Sequence, residues 1–271
     1  MKEKKIDVQE MKQIQMQMMD LLDTFCSENK LNYYMIGGTA IGAVRHKGYI
    51  PWDDDIDVAI PRDDYERFLK EFKAEGYSII TCFNSPSYAY PFAKLMDDNT
   101  RIIEHSDYIS TDLGVNIDVF PVDGLPKNTI RVNLIYLKRL YYDFISSCKC
   151  AELSKKRNWI KLLIIKIVRS LTNNLDMNTI AKKIDKLAKS YKYDSSCKVG
   201  RIAWGFYKKE IVDNSVYGEY EYVPFEDRSY RLANKYDIYL TQIYGNYMQL
   251  PPENQRKLQH DVKAFYINEI K

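Results

Sequence analysis

Four aspartates fall within five residues, Asp53, Asp54, Asp55 and Asp57, and the last two open the run Asp55–Ile60 (DIDVAI), which alternates polar and apolar side chains. On a strand successive side chains point to opposite faces, so Asp55 and Asp57 share one face while Ile56, Val58 and Ile60 point into a core. Two carboxylates held side by side repel, and each raises the proton affinity of the other unless a positive charge stands between them. A hard divalent cation removes that repulsion. Mg²⁺, or Mn²⁺ in its place, takes one or two carboxylates and completes its coordination with phosphate oxygens and water. The pair is therefore a candidate metal site for phosphoryl chemistry, with Asp53 and Asp54 assigned to a solvated loop.

A second acidic run, Val115–Phe120 (VNIDVF), sets Asp118 between Ile117 and Val119. A lone carboxylate in an apolar strand is costly without a partner. If this strand lies beside Asp55–Ile60, Asp118 becomes a third carboxylate, and such a set could hold one metal or two across an in-line displacement. Gly37 and Gly38 lie about 18 residues before the paired aspartates, between a strand and a helix start. Glycine lets backbone approach a phosphate, and a helix N-terminus attracts anions. Thr39 is the expected N-cap of that helix and belongs with the glycines on the substrate side. Arg45, near its end, is a candidate cation for the phosphate that is not transferred. His46 is assigned a structural role.

The elements that must position these groups are legible as periodicities. Residues 6–29 carry Val8, Met11, Ile14, Met18, Leu22 and Phe25 at three- and four-residue steps, the mark of an amphipathic helix. Strands are expected at 31–36, 55–60, near 77–82, 93–96, 101–105 and 115–120, with helices over 39–47 and 62–75. The order predicts an α/β or α+β core in the first half. Beyond about residue 126 the chain reads as mainly helical. No internal repeat or low-complexity segment interrupts it.

The bulk numbers add limits. At 271 residues the chain has one to two domains. A net charge of +3 gives no basic field of the kind that nucleic-acid binding needs. Five cysteines at spacings that fit neither zinc nor CxxC chemistry are expected to be reduced thiols. The opening MKEKKIDVQE lacks the apolar core of a signal peptide, and no run of 18 apolar residues exists. A cytoplasmic location is the expectation.

The run GGTAIGAVRHKGYIPWDDDIDVAIPRDDY, from Gly37, resembles the LicD family. VNIDVFPVDGLP is similar to its second block, FAKLMDDNTRI with Lys94 and Thr100 to an intermediate block, and YGNYMQLPPE (Tyr244–Glu253) to its C-terminal signature. The likeness is weakest over 127–215. It implies an α+β fold with a nucleotidyltransferase core of the polymerase β type: a small mixed sheet flanked by helices over 1–126, followed by a mainly helical 127–271 that packs on it and completes the acceptor side. It implies transfer of phosphocholine, or a related alcohol phosphate, from CDP-choline or a similar CDP-alcohol to a sugar hydroxyl of a lipid-linked or polymeric saccharide. Gly37 and Gly38 would then cradle the diphosphate, Asp55 and Asp57 would bind Mg²⁺, Asp118 would serve as third ligand or base, and Lys94 would face substrate. Choline accepts and donates no hydrogen bond and needs aromatic faces; Trp52 and Tyr49, beside the acidic strand, are the candidates.

A DxD-type glycosyltransferase using a nucleotide sugar, a nucleotidyltransferase that releases pyrophosphate, and a non-catalytic glycan-binding protein are the competing classes. The first needs no glycine pair, the second differs only in its product, and the third needs none of the carboxylates. One further segment stands out. Leu153–Leu171 mixes Lys155, Lys156, Arg157, Lys161, Lys166 and Arg169 with Trp159 and many aliphatic residues. It reads either as an interfacial helix resting on the anionic inner membrane face or as a core helix with snorkelling lysines.

Overall fold

The computed structural model describes residues 4–104, 113–153, 158–256 and 262–267. The first half runs β1 (Lys4–Ile6), α1 (Val8–Glu28), β2 (Tyr34–Met35), α2 (Gly37–His46), β3 (Asp57–Pro61), α3 (Arg62–Glu71), β4 (Tyr77–Ile80), β5 (Ala93–Asp97), β6 (Thr100–Glu104) and β7 (Asn116–Leu125). The second half runs α4 (Thr129–Cys150), α5 (Trp159–Leu171), α6 (Met177–Ala188), β8 (Lys198–Gly200), β9 (Val212–Asp213), β10 (Tyr220–Phe225), β11 (Arg228–Ala233), α7 (Tyr236–Tyr244) and β12 (Val262–Tyr266). Residue 105 of the expected strand 101–105, and Lys155, Lys156 and Arg157, lie outside the described residues.

Local causes are readable at most boundaries. Asp7 caps α1 by accepting from the Gln9 and Glu10 amides, and Glu10 reaches back to the Asp7 amide, a reciprocal capping box. Met11, Ile14, Met18 and Leu22 bury one face of that helix. α2 starts at Gly37, two residues earlier than expected, and Thr39 is not its cap. The Thr39 hydroxyl instead accepts from the Asp57 amide at 2.9 Å. No side chain caps the first turn of α2.

The main sheet has the order β2-β3-β7-β5-β4, with β8 and β9 added beyond the far half of β7. β3 and β7 are parallel and the other pairings are antiparallel, so the sheet is mixed. β7 is long because its first half completes the β3–β5 layer and its second half, Asp123–Leu125, pairs with β8. β12 joins β1 and β6 in a three-stranded sheet. The whole is an α+β fold.

The second half is mainly helical only as far as Ala188, with α7 the one later α-helix among the described residues. Residues 198–266 hold five strands among the described residues, two of them the β10–β11 hairpin. Its strands alternate Tyr220, Tyr222 and Arg228, Tyr230, Leu232, a period-2 pattern rich in aromatics that favours sheet over helix. One core cluster runs from Ile6 through β3, β5 and β7 to Tyr217, Leu240 and Ala264, so both halves pack into it. Buried polar order holds α3, β7 and α6 together. Arg62 donates to both oxygens of Asp123 at 2.6 and 3.1 Å and to Asp185 at 2.9 Å, and all three side chains are buried. All five cysteines are free thiols.

Candidate active site

The register of three neighbouring strands brings the charged residues into one row. Asp57 on β3 pairs with Asp118 on β7, and Asp118 pairs with Lys94 on β5. Lys94 forms an ion pair with Asp118 and donates to Asn116 at 3.0 Å. Asp55 lies in the segment leading into β3. Burial pushes the Asp57 carboxyl well above the usual carboxylate range, and Asp55 and Asp118 push it further. Arg201, from the loop after β8, acts in the opposite direction.

The start of α2 closes over these carboxylates. Gly37 has φ +58°, a left-handed conformation that glycine adopts without strain, and a side-chain carbon there would sit 3.0 Å from Oδ2 of Asp57. At Gly38 such a carbon would meet Oδ2 of Asp53 at 2.4 Å. Backbone thus stands where any side chain would displace a carboxylate. Gly37→Ala is expected to destabilise the fold by about 1–2 kcal/mol and to lower turnover at least about tenfold by shifting Asp57. Thermal melting and initial rates on one preparation separate the two effects.

A cleft of about 680 Å³ opens over Asp57 at the end of this row, with Asp118 and Lys94 outside its lining, a size that holds a nucleotide-sized ligand. Its floor is Gly37, Gly38, Asp53, Asp55 and Asp57, and its far wall comes from the second half of the chain. Arg201 pairs with Glu210 through two bonds, at 3.0 and 2.5 Å, and both side chains are buried. Glu210 also accepts from the Phe206 amide at 3.1 Å. This clamp sets the loop that presents Trp204, Gly205 and Phe206 to the cleft. Arg139 of α4 braces the same loop by donating to the carbonyls of Ile202 and Ala203. Tyr244, Asn246, Tyr247, Gln249 and Pro251 form the remaining side.

The donor set fits a divalent cation. Burial first, and then the charges of Asp55, Asp118 and Asp53, raise the proton affinity of Asp57, and Arg201 opposes them. Among the described residues no group of three or more Asp, Glu, His or Cys side chains is arranged to hold a metal ion. An ion at this floor would need its other ligands from substrate phosphate and water.

A family profile described as "LicD/FKTN/FKRP, nucleotidyltransferase domain" matches residues 30–147. The chain is 32% identical over 273 residues to the lipopolysaccharide cholinephosphotransferase LicD of Haemophilus influenzae, covering 97% of this chain and all of that protein. The chain belongs to the LicD family. It is an enzyme, a transferase. Shorter matches of 43% and 39% over 56 residues, 20% of this chain, occur in uncharacterised proteins of Rickettsia typhi and Rickettsia prowazekii, of which they cover 18% and 21%.

In this LicD-family chain the residues singled out from sequence distribute unevenly. Gly37, Gly38, Arg45, Trp52, Asp55 and Asp57 line the cleft. Arg45 spends Nη1 on the carbonyls of Tyr247 and Gln249, at 2.6 and 3.3 Å, and so ties α2 to the C-terminal block. Lys94 and Asp118 hold each other in the adjoining strands. Tyr49 is not on the cleft wall. Its ring packs on Phe225 with centroids 5.0 Å apart, and its hydroxyl bonds to Gln15 at 3.0 Å. Trp52 turns the other way, edge-on to His46, with Arg256 over its ring. Asp53 and Asp54 are buried rather than solvated. Sequence reasoning assigned no role to Asp53, Arg201, Trp204, Phe206 or Glu210. The LicD-like block Tyr244–Glu253 did signal its segment, whereas nothing in the pattern marked Arg201–Phe206.

Proposed function

We propose that the chain transfers phosphocholine, or a closely related alcohol phosphate, from CDP-choline or a similar CDP-alcohol to a hydroxyl of a saccharide. The full-length similarity to a lipopolysaccharide cholinephosphotransferase supports this class of reaction. The observation that carries it is Asp55 and Asp57 facing a glycine-started helix inside a cleft walled by aromatic rings, with Asp118 and Lys94 next to Asp57 in the strand register. Carboxylates at the near ends of parallel β3 and β7 in a mixed sheet also support a core of the polymerase β nucleotidyltransferase type.

In the proposed reaction the sugar oxygen attacks the choline-bearing phosphorus, a P–O bond forms, the bond to the bridging diphosphate oxygen breaks, and CMP leaves. Gly37 and Gly38 let the diphosphate approach the open first turn of α2. Asp55 and Asp57 would hold Mg²⁺ or Mn²⁺, which when bound offsets charge growing on the phosphate oxygens. Asp118, paired with Lys94 beside Asp57, would receive the hydroxyl proton. Arg45, with the Arg256 guanidinium close enough to disfavour its charge, forms the cationic side of the cleft. Most of the work is positioning and charge stabilisation, as phosphoryl transfer requires.

Trp52 of the pair expected from sequence, with Trp204, Phe206 and Tyr244 in place of Tyr49, offers the aromatic faces for a quaternary ammonium. Phe206 is 51% exposed and stacks edge-on with Tyr244 at 5.8 Å, so its removal leaves the core intact. Phe206→Ala is expected to raise KM for CDP-choline by about 3–30-fold, with a smaller change for CDP-glycerol. Equal changes for both donors would remove Phe206 from the choline face.

The deciding assay offers CDP-choline, CDP-ethanolamine, CDP-glycerol and CDP-ribitol with a saccharide acceptor and follows CMP. Nucleotide sugars and nucleoside triphosphates run in parallel. Release of UDP or GDP points to glycosyl transfer, and release of pyrophosphate to nucleotidyl transfer; either overturns the proposal.

A further inference from the structure

Outside the cleft, the largest unexplained feature is apolar and exposed. Along α4, Ile130, Leu134, Leu137, Tyr141 and Phe144 repeat at steps of four and three and stand out from the protein, with Leu137 62% exposed. This stripe lies opposite the face that buries Ile135, Tyr136 and Arg139. α5 goes further. Ile165 is its one buried residue, while Trp159, Ile160, Leu163, Ile164, Ile167 and Leu171 are exposed, Trp159 at 72% and Leu171 at 77%. At about 100° per residue these six fall within an arc of roughly 140°. Lys161 and Lys166 stand at its two borders, and half-buried Leu162 and Val168 flank Ile165 on the inner side.

The two helices are joined. Arg169 of α5 donates to the carbonyls of Cys148, Lys149 and Ala151 at 2.9, 2.8 and 2.5 Å and so fastens α5 to the end of α4. Soluble proteins rarely expose such continuous apolar surface without a use for it.

The charge pattern selects the occupant. α4 and α5 together carry seven basic side chains and one acidic, Asp143, and Asp143 is occupied by Arg139 and Tyr207. A second copy of this chain, docked about a twofold axis, would set lysine against lysine with no acid to answer. Arg139 and Arg169 are held within the protein, and an anionic bilayer answers the other five. Apolar side chains enter the acyl boundary, bordering lysines reach the headgroups, and a tryptophan sits at the interface. Among the described residues no helix is long and apolar enough to cross a membrane, so the contact is with its surface.

We propose that the outer faces of α4 and α5 form a docking surface for an anionic lipid bilayer. α4 has two jobs in this arrangement: its outer stripe meets lipid while Arg139 on its inner face braces the loop carrying Trp204. The docking stands on exposure and charge alone and does not depend on the transfer reaction proposed above.

The test is flotation of the full chain with vesicles of phosphatidylglycerol and phosphatidylethanolamine, against vesicles of phosphatidylcholine alone, at low and high salt. The expected result is at least about tenfold more protein on anionic vesicles, weakened by salt. Leu163→Glu with Ile167→Glu, and separately Leu137→Glu with Tyr141→Glu, are expected to reduce this binding at least about tenfold while leaving the melting temperature and CMP release with a soluble acceptor unchanged. Because these side chains are already exposed, the variants test the surface rather than the fold. Equal partitioning onto both vesicle types, no flotation, or variants that float like the parent would each overturn the proposal. So would a solution dimer that the same substitutions convert to monomer, which would assign the face to a second copy.

Discussion

Asp57→Asn is expected to reduce transfer at least about 10³-fold, since it removes both a proposed metal ligand and the charge that positions the donor phosphates. The same change is expected to make the metal-free protein more stable at neutral pH. Burial and the neighbouring Asp55 and Asp118 raise the Asp57 carboxyl well above its ordinary range. A carboxyl with a raised folded-state pKa binds its proton more tightly in the folded protein. Its contribution to stability is full below the unfolded value, about 4, and is lost as pH rises through the folded value. In chelator, the parent should therefore lose ground to Asp57→Asn as pH is raised from about 4 towards neutrality. Adding Mg²⁺ should raise the parent's melting temperature by mass action and leave the variant unmoved. Undiminished CMP release from Asp57→Asn would end the metal assignment, and melting curves that ignore Mg²⁺ in both proteins would do so independently.

The largest loss of stability is expected from Arg62→Leu. Arg62 alone supplies three hydrogen bonds to Asp123 and Asp185, whose side chains are 0% and 5% exposed. Removing Arg62 leaves buried Asp123 without its counter-charge, while Asp185 keeps Lys189 at 3.0 Å; breaking a buried pair in this way costs about 3–5 kcal/mol. For a chain of this size that lowers the melting temperature by on the order of 10 °C. Asp123→Asn in the Arg62→Leu background should recover part of the loss, because the amide carries no charge. The molecules that remain folded should keep their KM for donor, since Arg62 does not line the cleft. A loss below about 1 kcal/mol would mean that water already reaches this network.

How much was legible in the sequence follows from how local each signal is. The alternation in Asp55–Ile60 reports a strand because period 2 is a property of the chain itself, and β3 forms there. Asp118 in its apolar frame gave the second strand, but the parallel register that sets it beside Asp57 is a long-range pairing that neither strand's own pattern carries. Tyr49 and Trp52 show the limit. Both lie in the loop before the acidic run, and no periodicity says which way a loop side chain turns, so one faces Phe225 and the other the cleft. Asp53 looked solvated because acidic runs usually are, yet the close approach of Gly38 buries it. Arg201 and Trp204 were silent for a different reason. Their placement depends on the clamp to Glu210 and on Arg139, more than sixty residues upstream of the Ile202 carbonyl it holds. The strands after residue 198 are two to six residues long, too short for a period to stand out against the helical segments before them.

The cleft's two sides emerge from the ribosome at very different times. Gly37, Asp55 and Asp57 are synthesised early, whereas Phe206, Tyr244 and Tyr247 arrive only after some two hundred residues, and β12 must follow before β1 finds its partner. Until Tyr247 has been made, a nascent polypeptide therefore carries its acidic residues with no opposite wall to hold a donor or shut out water. Products terminated before Phe206 should be catalytically silent instead of wastefully hydrolysing activated nucleotide, and competence should appear abruptly once that wall is in place.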